Sequence, residues 1–281
     1  MIIAKKPDFL SKYLSSKREF GTSINLVPTM GALHEGHLTL IRKAREDSGL
    51  VVCSIFVNPT QFNDPKDFQK YPKTIEKDID LLEEADTDLL FLPEAADIYP
   101  NGVSNLETYD LGDLEKIFEG EFRPGHFQGV CQVMRRILDL VKPDELFMGQ
   151  KDYQQCMVIK KLIQIMHAPI HFVAVPTVRE SDGLAMSSRN LRLDKDGRKN
   201  AVAISQSLNY IKKNIKPGDL TSIRRQAKEL LEEKDLKVDY VELADANNLK
   251  IVKSWDGEQK LVALIAAFQG EVRLIDNAVI G

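Results

Sequence analysis

The sequence predicts a two-part α/β protein: a parallel-sheet domain with helices on both faces, then a smaller α+β domain. Three observations predict it. Short, almost wholly apolar runs recur through the first two-thirds of the chain, as strands covered on both faces require. Amphipathic helical patterns fill the gaps between those runs. After about Thr177 the texture changes to charged helical stretches followed by strands of alternating polarity.

Taken in order, residues 24–27 form the first run and are expected to stop at Pro28. Residues 50–57 are nearly all apolar, residues 89–92 stop at Pro93, and residues 145–148 and 170–175 are the fourth and fifth strand candidates. Between them, Val130, Val133, Met134, Ile137 and Val141 share one helical face. So do Ile159, Leu162, Ile163 and Met166, with Lys160, Lys161 and Gln164 turned away. This alternation implies a Rossmann-like parallel sheet domain over residues 1–176, whose ligands would bind where strands end. Residues 177–281 read as the second domain. Helices are expected over 199–213 and 221–233, separated by Pro217 and Gly218. Leu236, Val238 and Tyr240 then alternate with Lys237 and Asp239, the mark of a half-buried strand. Residues 261–268 and 272–275 read as two more strands, joined at Gln269 and Gly270.

The net charge of −4 offers no global positive field, so nucleic acid is not an expected partner and any phosphate-binding charge must be local. Cys53, Cys131 and Cys156 include no C-x-x-C pair and read as reduced thiols packed as small apolar groups. The first twenty residues mix lysines with apolar residues and lack the unbroken apolar core of a secretion signal. No apolar run approaches the length that spans a bilayer. A cytoplasmic protein without a membrane partner is expected.

Four segments carry chemistry. The run from Pro28 through Thr29, Met30, Gly31, Ala32, Leu33, His34, Glu35 and Gly36 to His37 follows the first strand and opens a helix bearing Leu38, Ile41 and Ala44. Gly31 permits a tight turn. His34 and His37 are three positions apart and share a face, at a helix start that attracts phosphate. A zinc pair or two surface histidines are the alternatives, and zinc would need a third ligand. The second segment, FVNPTQFN, offers Asn58 and Gln61 as uncharged amides that can orient a polar organic acid; an Asn-Pro turn explains it equally. In the third, GQKDYQQ, Lys151 can reach phosphates, Asp152 can accept from ribose hydroxyls or cap the helix, and Gln155 lies one turn further on. In the fourth, MSSRN, Ser187, Ser188 and Arg189 form a compact anion grip; a solvated linker is the alternative.

These strings, together with FRPGHFQGV at residues 122–130, resemble the pantothenate synthetases, and in the same order. The first and fourth also resemble the HIGH-type and KMSKS-type segments of the wider nucleotidyltransferase superfamily, the fourth without its lysines. The likeness covers residues 25–190, roughly two-thirds of the chain. One departure is Gln150, where that family would favour Glu. The resemblance implies an ATP-dependent ligase that condenses pantoate with β-alanine through a pantoyl adenylate, releasing AMP and pyrophosphate. Carried over, His34, His37, Lys151 and Arg189 would be catalytic, with His37 the better proton donor. Met30, Gly31, Ala32, Leu33, His34, Glu35, Gly36, His37, Gly149, Gln150, Lys151, Asp152, Val178, Met186, Ser187, Ser188 and Arg189 would bind ATP. Gln61, Gln155 and Asn58 would bind pantoate, and Gln61 also β-alanine. Mg²⁺ would ride on the ATP phosphates with few protein ligands. The resemblance also implies a homodimer, and residues 64–77 would serve as a lid. Two competing readings remain open: a transferase that leaves the nucleotide on its product, and a binding module that keeps ATP without consuming it. A tRNA-charging enzyme fits less well, since the chain has no extended basic patch.

Overall fold

Six parallel strands form the first sheet of the computed structural model, which describes residues 1–281. They are β1 (Ile2–Ala4), β2 (Ile24–Thr29), β3 (Leu50–Ile55), β4 (Leu89–Phe91), β5 (Glu145–Gly149) and β6 (His171–Val175). Their order across the sheet is β1-β4-β3-β2-β5-β6. Around them run α1 (Pro7–Glu19), α2 (Glu35–Glu46), α3 (Pro65–Gln69), α4 (Ile75–Glu84), α5 (Ala95–Ile98), α6 (Glu119–Phe122), α7 (His126–Val141) and α8 (Tyr153–Ile165). Every residue of β3 is buried. Leu50 and Val52 pack with α1, α7 and α8 on one face, while Val51, Cys53 and Ile55 pack with α2 and α4 on the other. Two covered faces are why the strands read as unbroken apolar runs.

The sheet departs from expectation in two places. β1 was not foreseen: its three residues, two of them exposed, carry too little pattern to announce a strand. β2 does not stop at Pro28 but pairs with β3 through Thr29–Ile55. The Ile24 carbonyl accepts from Asp144 N, so even-numbered residues of β2 face β5. Pairing with β5 ends at Leu26, so the missing N–H of Pro28 faces no ladder.

The second unit holds α9 (Lys195–Asn200), α10 (Ala203–Asn214) and α11 (Thr221–Glu232). Its strands are β7 (Gly218–Asp219), β8 (Lys237–Asp245), β9 (Ser254–Trp255), β10 (Leu261–Gln269) and β11 (Val272–Ile280). An antiparallel sheet of order β11-β10-β8 lies against α10 and α11 around a core that includes Leu208, Ile211, Leu231, Leu243 and Ile265. Two helices replace the single one expected over 199–213, the first capped by Asp194, whose carboxylate accepts from Gly197 N at 2.7 Å. β11 runs five residues beyond its expected end at Ile275 because Asp276 and Asn277 are buried with partners. Asp276 takes a two-pronged bond from Arg179 at 2.6 and 3.0 Å.

By packing, the chain divides into Met1–Gln150 with Gln154–Pro176, and Lys151–Tyr153 with Thr177–Gly281. Sequence placed Lys151, Asp152 and Tyr153 with the first part. Asn277 Nδ2 donates to the Lys151 carbonyl at 2.8 Å and the Tyr153 hydroxyl donates to the Ala246 carbonyl at 2.7 Å, which groups these residues with the second.

Candidate active site

In the first unit, the segments singled out from sequence leave the carboxyl ends of β2, β3 and β5. The strand order reverses between β2 and β5, which pair only at Asn25–Glu145 and Leu26–Leu146. Beyond those pairs the two strands part, and sheets of this type bind their ligands at such a reversal.

The loop after β2 puts Gly31 and Ala32 in succession at φ 79° and 50°. A Cβ on Gly31 would sit 3.1 Å from both Asp78 Oδ2 and Ile55 Cγ2, so space as well as torsion demands glycine. Left-handed Ala32 costs about 1 kcal/mol and needs external support. Asp78 on α4 supplies it, accepting from Ala32 N at 2.9 Å, Leu33 N at 2.8 Å and the Thr74 hydroxyl at 3.0 Å. Sequence reasoning missed Asp78. The available signal was its place on the apolar face of α4, three after Ile75 and four before Leu82, where a carboxylate must have partners. Residues 64–77, the expected lid, carry α3 and pack Phe68 and Tyr71 edge-on against Phe62.

His34 caps α2. Its Nδ1 accepts from Gly36 N at 3.2 Å, while His37 Nδ1 accepts from His34 N at 3.3 Å, a reciprocal capping box built from two imidazoles. The ring centroids are 4.1 Å apart. An accepting Nδ1 leaves the proton of a neutral imidazole on Nε2. Both rings are therefore fixed as Nε2–H donors at the positive end of the α2 dipole. No group of three or more His, Cys, Asp or Glu side chains gathers around the pair. Glu35 turns to Arg42 on the exposed side of α2, so only its backbone belongs to the helix start.

After β3 the chain forms a short 3-10 turn, Pro59–Gln61, capped by Asn58. Asn58 is 1% exposed and its amide is fully engaged. Nδ2 donates to Gln61 Oε1 at 3.1 Å and the Gly129 carbonyl at 3.0 Å, while Oδ1 accepts from the Tyr99 hydroxyl at 2.8 Å and from Thr60. Burial pushes the Tyr99 phenol above its ordinary pKa, keeping it a donor. Asn58 thus orients Gln61 from behind. The Gln61 amide donates to Met30 Sδ at 3.1 Å, a weak acceptor, and retains one N–H and one oxygen lone pair. Gln155 on α8 is half-buried. Its neighbour Gln154 is a structural residue, binding Glu119 N, Leu114 O and Ile117 O at 2.7–3.0 Å.

α7 lies directly on the 59–61 turn. A Cβ on Gly129 would stand 2.3 Å from the Thr60 carbonyl oxygen, so glycine alone allows this approach. Segment 122–130 is marked in the sequence only by its resemblance; the close contact gives Gly129 a physical reason.

Within the second unit, Lys151 lies 3.7 Å from Asp152 in a 3-10 turn. Val178 and Met186 are brought together by Met186 N donating to Val178 O at 3.0 Å, next to the Arg179–Ala185 bridge. Ser187 caps the turn Ser188–Arg192 by accepting from Arg189 N at 3.3 Å, and Asn190 donates to the Ala185 carbonyl. Arg179–Asp276 and Arg198–Asp182 hold this loop to its own unit. In the first unit a depression of about 750 Å³ bordered by Met1, Arg45, Thr87 and Asp88 lies at the amino ends of β1 and β4, the opposite end of the sheet from the loops after β2 and β3.

The fold and the histidine-capped helix start define the class: a Rossmann-like α/β protein whose α2 begins, capped by His34, at the carboxyl edge of the sheet. A family model for pantoate-beta-alanine ligase matches residues 2–279, and the chain belongs to that family. A pantothenate synthetase of Fervidobacterium nodosum is 44% identical, covering 92% of each chain. One from Magnetococcus marinus is 46% identical over 94% of this chain and 92% of its own. Among solved structures, the pantothenate synthetase of Thermus thermophilus superposes with a TM-score of 0.90 at 36% identity, covering 99% of both chains. A Francisella tularensis pantoate-beta-alanine ligase, solved in complex with beta-gamma ATP and beta-alanine, gives 0.83 at 35% identity over 99% and 97%.

Proposed function

We propose that this chain condenses pantoate with β-alanine, driven by ATP, in two half-reactions. A pantoate carboxylate oxygen attacks the α-phosphorus, the bond to the bridging oxygen breaks, and pyrophosphate leaves. The β-alanine nitrogen then attacks the acyl carbon, loses a proton, and AMP departs with the former carboxylate oxygen. The observation that carries the reading is the paired cap: two imidazoles with Nδ1 tied to backbone N–H groups present Nε2–H at a helix start, where phosphoryl charge develops.

In this reading His34 and His37 donate to phosphoryl oxygens, and Lys151 stabilises the α-phosphoryl group in transit. Ser187, Ser188 and Arg189 hold the outgoing pyrophosphate. Met30, the backbone of residues 31–36, Gly149, Gln150, Asp152, Val178 and Met186 line the nucleotide. Gln61 and Gln155 bind pantoate, Gln61 also meets the β-alanine amine, and Asn58 acts behind Gln61. Mg²⁺ is assigned to the triphosphate, where it would offset charge, because no cluster of three or more donor side chains is built to hold it. A homodimer in the cytoplasm completes the proposal. No helix is long and apolar enough to cross a membrane, and sedimentation velocity tests the dimer.

The test is exchange of labelled pyrophosphate into ATP, with products identified by mass when β-alanine is added. Exchange that depends on pantoate, followed by equimolar AMP and pantothenate, is expected. A folded protein that exchanges nothing above a blank without pantoate overturns the reading. A product that retains the nucleotide, with no free AMP, points to the transferase instead.

A further inference from the structure

His126 is 5% exposed and opens α7, just after Gly125 at φ 80°. Its Nδ1 lies 2.8 Å from the Gln61 carbonyl oxygen and its Nε2 lies 3.1 Å from Arg123 Nη1. A carbonyl oxygen only accepts and a guanidinium only donates. One assignment satisfies both: the proton sits on Nδ1 and Nε2 receives the arginine. Arg123 Nη2 also donates to the Gln61 carbonyl at 3.4 Å, and Glu119 stands 3.7 Å from Arg123 Nη1 with 7% of its side chain exposed. The Gln61 carbonyl thus takes two donors from one side while Gly129 O ties down Asn58 and Thr60 on the same turn. Two donors at fixed positions set a peptide plane, and the plane sets the direction of the Cα–Cβ bond.

We propose that Glu119, Arg123 and His126 form a positioning relay that aims the Gln61 side chain, and so governs affinity for the acid and amine substrates without governing affinity for the nucleotide. The inference rests on the reading of Gln61 as the residue that binds pantoate and β-alanine. His126 is a positioning residue: it acts through the Gln61 backbone. A reactive geometry misplaced by about 1 Å loses on the order of a hundredfold in rate, so a relay one residue removed from substrate has measurable leverage.

The experiment compares the full chain with His126→Asn, His126→Gln and Gln61→Ala, measuring kcat and the KM for each of the three substrates. Asn places its amide nitrogen where imidazole Nδ1 sits and keeps the bond to the Gln61 carbonyl. Gln places its amide where Nε2 sits and loses that bond. His126→Gln is expected to raise the pantoate and β-alanine KM about tenfold while the ATP KM stays within about twofold, and His126→Asn to recover most of the loss. Equal effects from both variants, or a parallel rise in the ATP KM, would reduce His126 to packing and overturn the relay. If Gln61→Ala leaves the pantoate KM unchanged, the reading of Gln61 fails, and the relay with it. If Gln61→Ala raises that KM and His126→Gln does not, the relay alone fails. Nitrogen-15 NMR of the wild-type ring is the second measurement, independent of whether the variants fold: an Nδ1–H tautomer is expected, and an Nε2–H tautomer overturns the proposal.

Discussion

Two histidine settings in one unit carry opposite tautomers. At the start of α2, backbone N–H groups donate to Nδ1 of His34 and His37, so both rings keep their proton on Nε2. At the start of α7, the Gln61 carbonyl accepts a hydrogen bond from Nδ1–H of His126, and an arginine donates to Nε2. The first pair is set up to donate from Nε2; the second setting is turned inward to hold a loop. The difference teaches that residue type and helix position do not decide what a histidine does. What decides is which backbone group, donor or acceptor, meets Nδ1.

Breaking the first setting should give the largest effect. His37→Ala removes an Nε2–H donor and unties the His34 N–H, and turnover is expected to fall by about 10² to 10³, the usual loss for one preorganised donor. His37→Asn, which can still receive the cap, should restore the melting temperature but not turnover. A variant that recovers both would make the cap, and not the donor, the feature that matters. Single-turnover assays with a melting curve separate the two.

Gly129→Ala disturbs the second setting from its far side. A methyl group 2.3 Å from the Thr60 carbonyl oxygen forces α7 away from the turn, and a loss of about 3 kcal/mol in urea unfolding is expected. Any folded fraction should bind pantoate poorly and ATP normally. Stability within about 0.5 kcal/mol of wild type would show that helix and turn separate easily.

Asp78→Ala tests the support under the first setting. It strands the buried Ala32 and Leu33 N–H groups, at a cost of about 2 kcal/mol in stability. The ATP KM is expected to rise several-fold, with the pantoate KM less affected. The reverse pattern would break the division of labour between the two regions.

The smallest effect concerns thiols behind each setting. Burial pushes Cys53, on β3, and Cys131, on α7, from an ordinary 9.0 up to about 12. The folded protein therefore keeps both protonated where the unfolded chain ionises, so stability holds below about 9 and declines as pH climbs toward 12. Urea midpoints at neutral pH and at about 10.5 should show the decline, with a shallower slope for Cys131→Ala. Rapid alkylation of the native protein at neutral pH would contradict both burials.

How much of this was readable in the chain varies by segment. Apolar runs announced β2 through β5, whose residues are mostly buried, and β6 as well, although its His171 and Ala174 are exposed. β1 and the end of β11 were hidden: one is too short for a pattern, and the other carries Asp276 and Asn277, polar residues whose partners lie far along the chain. The histidine pair and Gln61 were visible as strings after strands, and the MSSRN loop as a polar string near the domain boundary. Asp78 was not, since its partners are backbone N–H groups forty-five and forty-six positions away.

By itself the sequence determined the fold class, the two-part organisation, the family and the residue types at each strand end, because hydrophobic period and local motif are properties of neighbours in the chain. Only the tertiary structure decided that Asn58 works from behind Gln61, that Glu35 turns outward, and which nitrogen of each histidine holds its proton. Those choices depend on single hydrogen bonds between distant segments, and a bond's donor and acceptor are known only once folding has brought the two ends together.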